Sequence, residues 1–193
     1  MGYVLYGSKT SPFVRRIRVQ MENFECDFRE LNVFEGQDAV DLNKVNPINQ
    51  VPVLVDNDKN IWDSRIIFNY LNSKYKFQTL NWNDENILTA IDGAMTSGVS
   101  LFMMKRSGIN IAEPYMYVGR QKDRIESILD YLKPYILGEA LKVWNFQSIS
   151  LYCFLDWASF RGMISLEGRP ECTAFLDAHK NRASVIKTAI PKV

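Results

Sequence analysis

Three short stretches in the first third of the chain pair ligand-binding or reactive side chains with local geometry that suits them. Thr10-Ser11-Pro12-Phe13 sets a hydroxyl at a predicted helix start. Serine is a favoured N-cap and proline a favoured first helical residue, so Ser11 caps and Pro12 follows. The same position faces free N–H groups and the positive helix end, which stabilise an anion such as a thiolate. A free thiol ionises near pH 8.5, so a hydroxyl donating to the sulfur makes the nucleophile available near neutrality. Asn46-Pro47-Ile48-Asn49-Gln50-Val51-Pro52-Val53-Leu54 puts Pro52 at the head of a β-favouring run, where a strand tolerates it. The Val51–Pro52 bond is either trans at a strand edge or cis. The cis form leaves the Val51 backbone open to pair with an extended peptide. Trp62-Asp63-Ser64-Arg65 runs from a strand end into a helix. Asp63 or Ser64 caps that helix, and the two together match the ammonium and carboxylate of an α-amino acid head group.

Other catalytic arrangements find little material. His179 is the single histidine and lies in a polar Asp-Ala-His-Lys-Asn stretch, which reads as solvated surface rather than part of a triad. Cys26, Cys153 and Cys172 are odd in number and scattered, which fits neither a disulfide framework nor a zinc site. No Cys-x-x-Cys occurs, so thiol–disulfide exchange is disfavoured, and Cys26 reads as core. No metal is expected. A net charge of +1 gives no electrostatic footprint for nucleic acid. No stretch reads as a membrane span, and the opening residues lack the long apolar segment of a signal peptide. Tyr6 stands where a myristoylation motif needs Ser or Thr, so a cytoplasmic protein is expected.

The elements that position the three motifs follow from changes of period. Tyr3–Tyr6 is a β-favouring run closed by Gly7. Phe13, Val14, Ile17, Met21 and Phe24 form a helical stripe, with Arg15, Arg16 and Arg18 around the rest of the helix. A weakly alternating strand over 27–33, a short helix over 36–45, strands at 53–55 and 60–62, and a helix marked by Ile66, Ile67, Tyr70 and Leu71 complete a βαβαββα order. Residues 75–83 read as a linker. Everything beyond reads as helical: a long helix carrying Ile87, Leu88, Ile91, Met95, Phe102 and Met103, another carrying Ile125, Leu129, Leu132 and Ile136, a buried helix over 146–160 that is apolar almost all round, and a last one over 171–179. The fold class expected is α/β plus all-α: a thioredoxin-like domain over 1–75 and a helical bundle over 84–193.

The three motifs in this order resemble the glutathione transferase family, in its small bacterial, serine-type, zeta/omega-like branch. Thr-Ser-Pro-Phe-Val-Arg-Arg looks like that family's active-site turn, Asn-Pro-x-x-x-Val-Pro-Val-Leu its cis-proline loop, and Asp-Ser-x-Ile-Ile-x-x-Tyr-Leu its γ-glutamyl-binding junction. The resemblance implies an enzyme with glutathione as co-substrate, conjugated to a small hydrophobic electrophile. Ser11 is then the catalytic hydroxyl, Val51 and cis-Pro52 bind the cysteinyl unit, Asp63 and Ser64 hold the γ-glutamyl group, and Phe13 lines the site. It also implies a cytoplasmic homodimer acting in detoxification, with the electrophile held between domains near Met95, Phe102 and Met103. Two departures stand out. Asn49 occupies a place where the family has Gly, and Asn145 with Ser148 replaces the usual Ser/Thr–Asp cap of the buried helix. The runner-up is a non-catalytic binding or regulatory module on the same fold.

Overall fold

The computed structural model describes residues 2–34 and 36–191. The chain divides into two compact units, Met1–Thr79 together with Arg182–Val193, and Leu80–Asn181. The expected boundaries at 75 and 84 thus fall on either side of the observed one. The chain beyond 181 leaves the helical unit and returns to the first.

The first unit follows the expected order: β1 (Tyr3–Gly7), α1 (Pro12–Gln20), β2 (Cys26–Glu30), α2 (Gln37–Val45), β3 (Val53–Asp56), β4 (Lys59–Trp62) and α3 (Ser64–Tyr75). Strand order is β2-β1-β3-β4, with β1 and β2 parallel and the other pairs antiparallel. Burial of Leu5, Val14, Ile17, Val53, Leu54, Ile67, Phe68 and Leu71 makes the core, and each is almost wholly removed from water. β1 approaches α1 so closely at Gly7 that a Cβ there would lie 2.6 Å from Val14 Cγ2. That contact explains why the strand closes on glycine. At the opposite sheet end, the β3–β4 turn carries Asn57 at φ 56°, where asparagine tolerates a left-handed conformation. Beside it, Asp56 accepts from Lys74 Nζ at 2.5 Å and from the Tyr70 hydroxyl at 2.6 Å, and the Tyr3 and Tyr75 hydroxyls bond at 2.6 Å.

Helix α1 departs from the expected pattern. Arg15 and Arg16, off the apolar stripe, are nevertheless buried at 2% and 1% exposure. Arg15 donates from Nε to Thr188 Oγ1 and from Nη2 to the Val185 carbonyl, both at 3.4 Å. These acceptors lie in and just after α8 (Ala183–Lys187), a helix too short to show a period in sequence. The bonds, with packing of α8 on α1, explain why the chain from 182 onward belongs to the first unit.

The helical unit holds α4 (Trp82–Arg106), α5 (Met116–Leu137), α6 (Phe146–Phe160) and α7 (Pro170–His179). Contrary to expectation, α4 is long and apolar enough to cross a membrane by length and composition. Here it packs against α5 and α6, burying Ile87, Leu88, Ile91, Met95 and Leu101. A buried Ser97–Gln121 hydrogen bond of 2.8 Å joins it to α5. The central helix α6 is buried nearly all round, as its composition predicts. Its cap is complete without a carboxylate. Asn145 Oδ1 accepts from the Gln147 and Ser148 amides, Ser148 Oγ accepts from the Asn145 amide, and the Ser148 hydroxyl donates to the Val143 carbonyl at 2.7 Å. His179 is buried at 5% exposure, not solvated, with its ring 4.6 Å from Trp144 and 4.8 Å from Phe175. Its flat aromatic body packs well although its neighbours in sequence are polar.

Replacing Asn145 with Ala is expected to destabilise the protein by about 1–2 kcal/mol in urea denaturation, through loss of the cap. The Lys74 ammonium and Tyr70 hydroxyl hold the Asp56 carboxyl below the usual carboxylate range. Its contribution is therefore full above the unfolded value of about 4 and is lost as pH falls through the lower folded value. Stability measured from pH 7 to pH 2 is expected to fall less steeply in Asp56→Asn than in the native protein, with the two curves converging in acid.

Candidate functional site

The sheet register brings the three sequence motifs to one place. Tyr6 pairs with Val53, and Val53 pairs with Trp62, so one row crosses β1, β3 and β4. β1 runs antiparallel to β3, and β3 to β4. The exit of β1 toward Ser11, the entry to β3 from Val51 and Pro52, and the exit of β4 into Asp63 and Ser64 therefore all lie at the same sheet end.

Ser11 is the N-cap of α1, with extended backbone at φ −83° and ψ 127°. Its Oγ accepts from the Val14 amide at 3.3 Å, which leaves the hydroxyl proton to donate elsewhere. Half-buried Phe13 lies beside it on α1, with the Arg16 guanidinium carbon 5.4 Å from its ring centre. The first turn of α1 carries no acidic residue, while Arg15 and Arg16 follow immediately. The positive helix end at Ser11 is thus not offset by a carboxylate in that turn.

The Val51–Pro52 peptide bond is cis, which decides the question left open by the sequence. Pro52 is buried and Val51 half-buried. The loop leading in is organised by Asn46, fully buried, which sequence reasoning did not single out. Its Nδ2 donates to the Gln50 carbonyl at 2.6 Å and its Oδ1 accepts from the Ile48 amide at 3.1 Å. A buried amide that donates and accepts within four residues fixes the loop more firmly than backbone bonds alone. Asn49 sits at φ 53°, so asparagine adopts the left-handed conformation that glycine would take more freely.

Asp63 caps α3, its Oδ1 accepting from the Arg65 and Ile66 amides at 2.8 and 3.1 Å. Its exposed carboxylate keeps a second oxygen with lone pairs for a cation. Ser64 is 1% exposed. Its Oγ accepts from Arg16 Nη2 at 2.7 Å and from Nε at 3.1 Å. An arginine only donates, so the Ser64 hydroxyl has its own proton left to give to an anion. Arg16 therefore ties the helix that begins at Ser11 to the helix that begins at Asp63. The sequence places Arg16 only off the apolar stripe of α1 and in the Thr-Ser-Pro-Phe-Val-Arg-Arg motif, with no role of its own.

The cysteines are poor nucleophiles. Burial pushes the thiols of Cys26 and Cys172 up to about 11, and Cys153 is fully buried. Among the described residues no group of three or more His, Cys, Asp or Glu is placed to hold a metal ion. Of the side chains expected to wall an electrophile site, Met95 is fully buried in the helical core. Phe102 and Met103 are half-buried, with Phe102 edge-on to Trp157 at 5.8 Å.

Residues 1–73 match the glutathione S-transferase N-terminal domain family. An uncharacterized GST-like protein, YibF, of Escherichia coli is 27% identical over 97% of this chain and 98% of its own. Glutathione S-transferase 1 of Manduca sexta is 30% identical over 72% of this chain and 65% of its own. The structure of a glutathione S-transferase from Methylobacillus flagellatus, solved with GSH bound, superposes with a TM-score of 0.85 at 20% identity, over 98% of this chain and all of that one. The first 73 residues thus match the glutathione S-transferase N-terminal domain, and the fold of the chain follows that of the solved glutathione S-transferase from end to end.

Proposed function

We propose that the protein binds glutathione at this sheet end and conjugates its thiolate to small hydrophobic electrophiles. The observation that carries the reading is the convergence of a helix-capping hydroxyl, a cis-proline strand entry and an acid–serine helix cap along the Tyr6–Val53–Trp62 row. A γ-glutamyl group carries an ammonium, suited to the exposed Asp63 carboxylate, and a carboxylate, suited to the proton that Arg16 leaves on Ser64. The cysteinyl backbone pairs with Val51 beside Pro52, and the sulfur comes to Ser11 with Phe13 alongside. The Methylobacillus flagellatus relative with GSH bound supports the choice of ligand.

Ser11 stabilises the thiolate in two ways. The helix end contributes about 0.3–1 kcal/mol, and a hydrogen bond to a charged sulfur about 1.5–3 kcal/mol. The hydrogen bond is the larger effect. Together they lower the thiol from about 8.5 to near neutrality, raising the ionised fraction at pH 7 from about 3% to roughly half. The thiol proton passes to water, and the sulfur then forms a bond to the electrophilic carbon as its leaving group departs. We extend the reading to a cytoplasmic homodimer acting in detoxification. No disulfide joins the cysteines among the described residues, which suits a reducing compartment.

A second reading, a binding module without catalysis, is favoured by the burial of Ser64, which restricts access to its hydroxyl. Melting with and without reduced glutathione separates the first question. At about one hundred times the dissociation constant, glutathione is expected to stabilise the fold by roughly 2.7 kcal/mol, a rise of several degrees. Asp63→Asn, which keeps an oxygen for the cap and loses the charge, is expected to shrink that rise. No shift in the native protein would favour a module with another ligand.

Ser11→Ala is expected to keep glutathione affinity within a few fold and to lower kcat toward a chlorodinitrobenzene electrophile by about 10- to 100-fold. The bound thiol should titrate about one to two units higher by ultraviolet thiolate absorbance. Unchanged turnover would remove Ser11 from the mechanism.

A further inference from the structure

Apart from the sheet end, a cavity of about 110 Å³ lies within the first unit, between the end of α1, strands β1 and β2, and α8. Its sheet side is apolar: Leu5 and Phe28 lie there, with Met21 and Phe24 closing the flank. Cys26 belongs to this wall, and burial keeps its thiol protonated, so it serves as a small apolar surface. Helix α8 forms the polar side.

Two hydroxyls of that polar side behave differently. The Thr188 hydroxyl donates to the Ser184 carbonyl at 2.7 Å and accepts from Arg15. The Ser184 hydroxyl, 3% exposed, has no hydrogen-bonding partner among the described residues. A buried hydroxyl without a partner is a costly group, and native folds retain few of them.

Charge narrows the occupant. Arg18 and Lys187 line the cavity against a single carboxylate, Glu22, which leaves the lining net positive. Arg18 lies with its guanidinium carbon 4.3 Å from the centre of the Phe28 ring, so it spans the polar and apolar sides. An engineered cavity of about 150 Å³ takes benzene, so this one accommodates roughly four or five non-hydrogen atoms with a headgroup at its mouth.

We infer that this cavity is a binding site for a short aliphatic monocarboxylate. Its carboxylate accepts from the Ser184 hydroxyl and faces Lys187 and Arg18, while its chain lies on Leu5, Phe28 and Phe24. The site shares no residue with the sheet end that holds Ser11, Val51 and Asp63.

Pentanoate is the probe, titrated into the full ¹⁵N-labelled chain and followed by amide chemical shifts. Saturable shifts at Cys26, Phe28 and Ser184, with a dissociation constant of roughly a millimolar, are expected for a ligand of this size. Ser184→Ala and Lys187→Gln are each expected to weaken binding about tenfold. Lys187 is exposed, so its replacement leaves the fold intact and reads the charge alone. Glutathione affinity is expected to stay unchanged in both variants. Absence of saturable shifts at these amides would overturn the inference. So would equal binding of pentan-1-ol, which has the same chain without the charge.

Discussion

Register is the constraint on which the candidate site depends. Side chains of a strand alternate between faces, so a slip of one residue of β3 against β1 would exchange the faces to which Val53 and Leu54 are turned. It would also carry the cis-proline entry out of line with the exit of β1. Core burial and site assembly are therefore specified by the same pairings, Tyr6 with Val53 and Val53 with Trp62. Close contact of Gly7 with Val14 sets how α1 leaves that row, and so where Ser11 stands.

The two buried arginines of α1 show how a helix can be bound on more than its apolar stripe. Removing a guanidinium from water is unfavourable unless hydrogen bonds replace what water supplied. Arg16 finds Ser64 at the start of α3, and Arg15 finds Val185 and Thr188 at the far end of the chain. Each bond joins elements widely separated in sequence and fixes the angle of the helix whose first turn holds the candidate hydroxyl. In a small core of aliphatic side chains, which pack with little directional preference, such directional bonds add positional definition.

Much of this was legible in the sequence because it is local. Alternation and helical period gave the βαβαββα order, and Ser11-Pro12, Asp63-Ser64 and Asn145 announced caps that the structure contains. The features that escaped depend on distant partners or on length. The burial of Arg15 and Arg16 does not show in the sequence because their acceptors lie about 170 and 50 residues away, respectively. His179 looked solvated because its polar neighbours hid the aromatic pocket of Trp144 and Phe175. Helix α8 has five residues, too few to complete two turns, and shows no periodicity. Asn46 shows in the sequence only as the first residue of the Asn-Pro loop motif, while its burial is set by how the loop folds back on it.

The return of residues 182–191 to the first unit bears on the order in which the protein is made. Residues 80–181 must be translated between the two portions of that unit. At the usual rates of synthesis this interval lasts about 5 to 20 s. During it, the β-sheet has all its strands, yet Arg15 lacks its Val185 and Thr188 acceptors and the α8 wall of the small cavity has not been made. The helical unit, continuous in sequence, leaves the ribosome complete before the first unit does. Translation thus reverses the order suggested by position in the chain: the unit begun first is finished last.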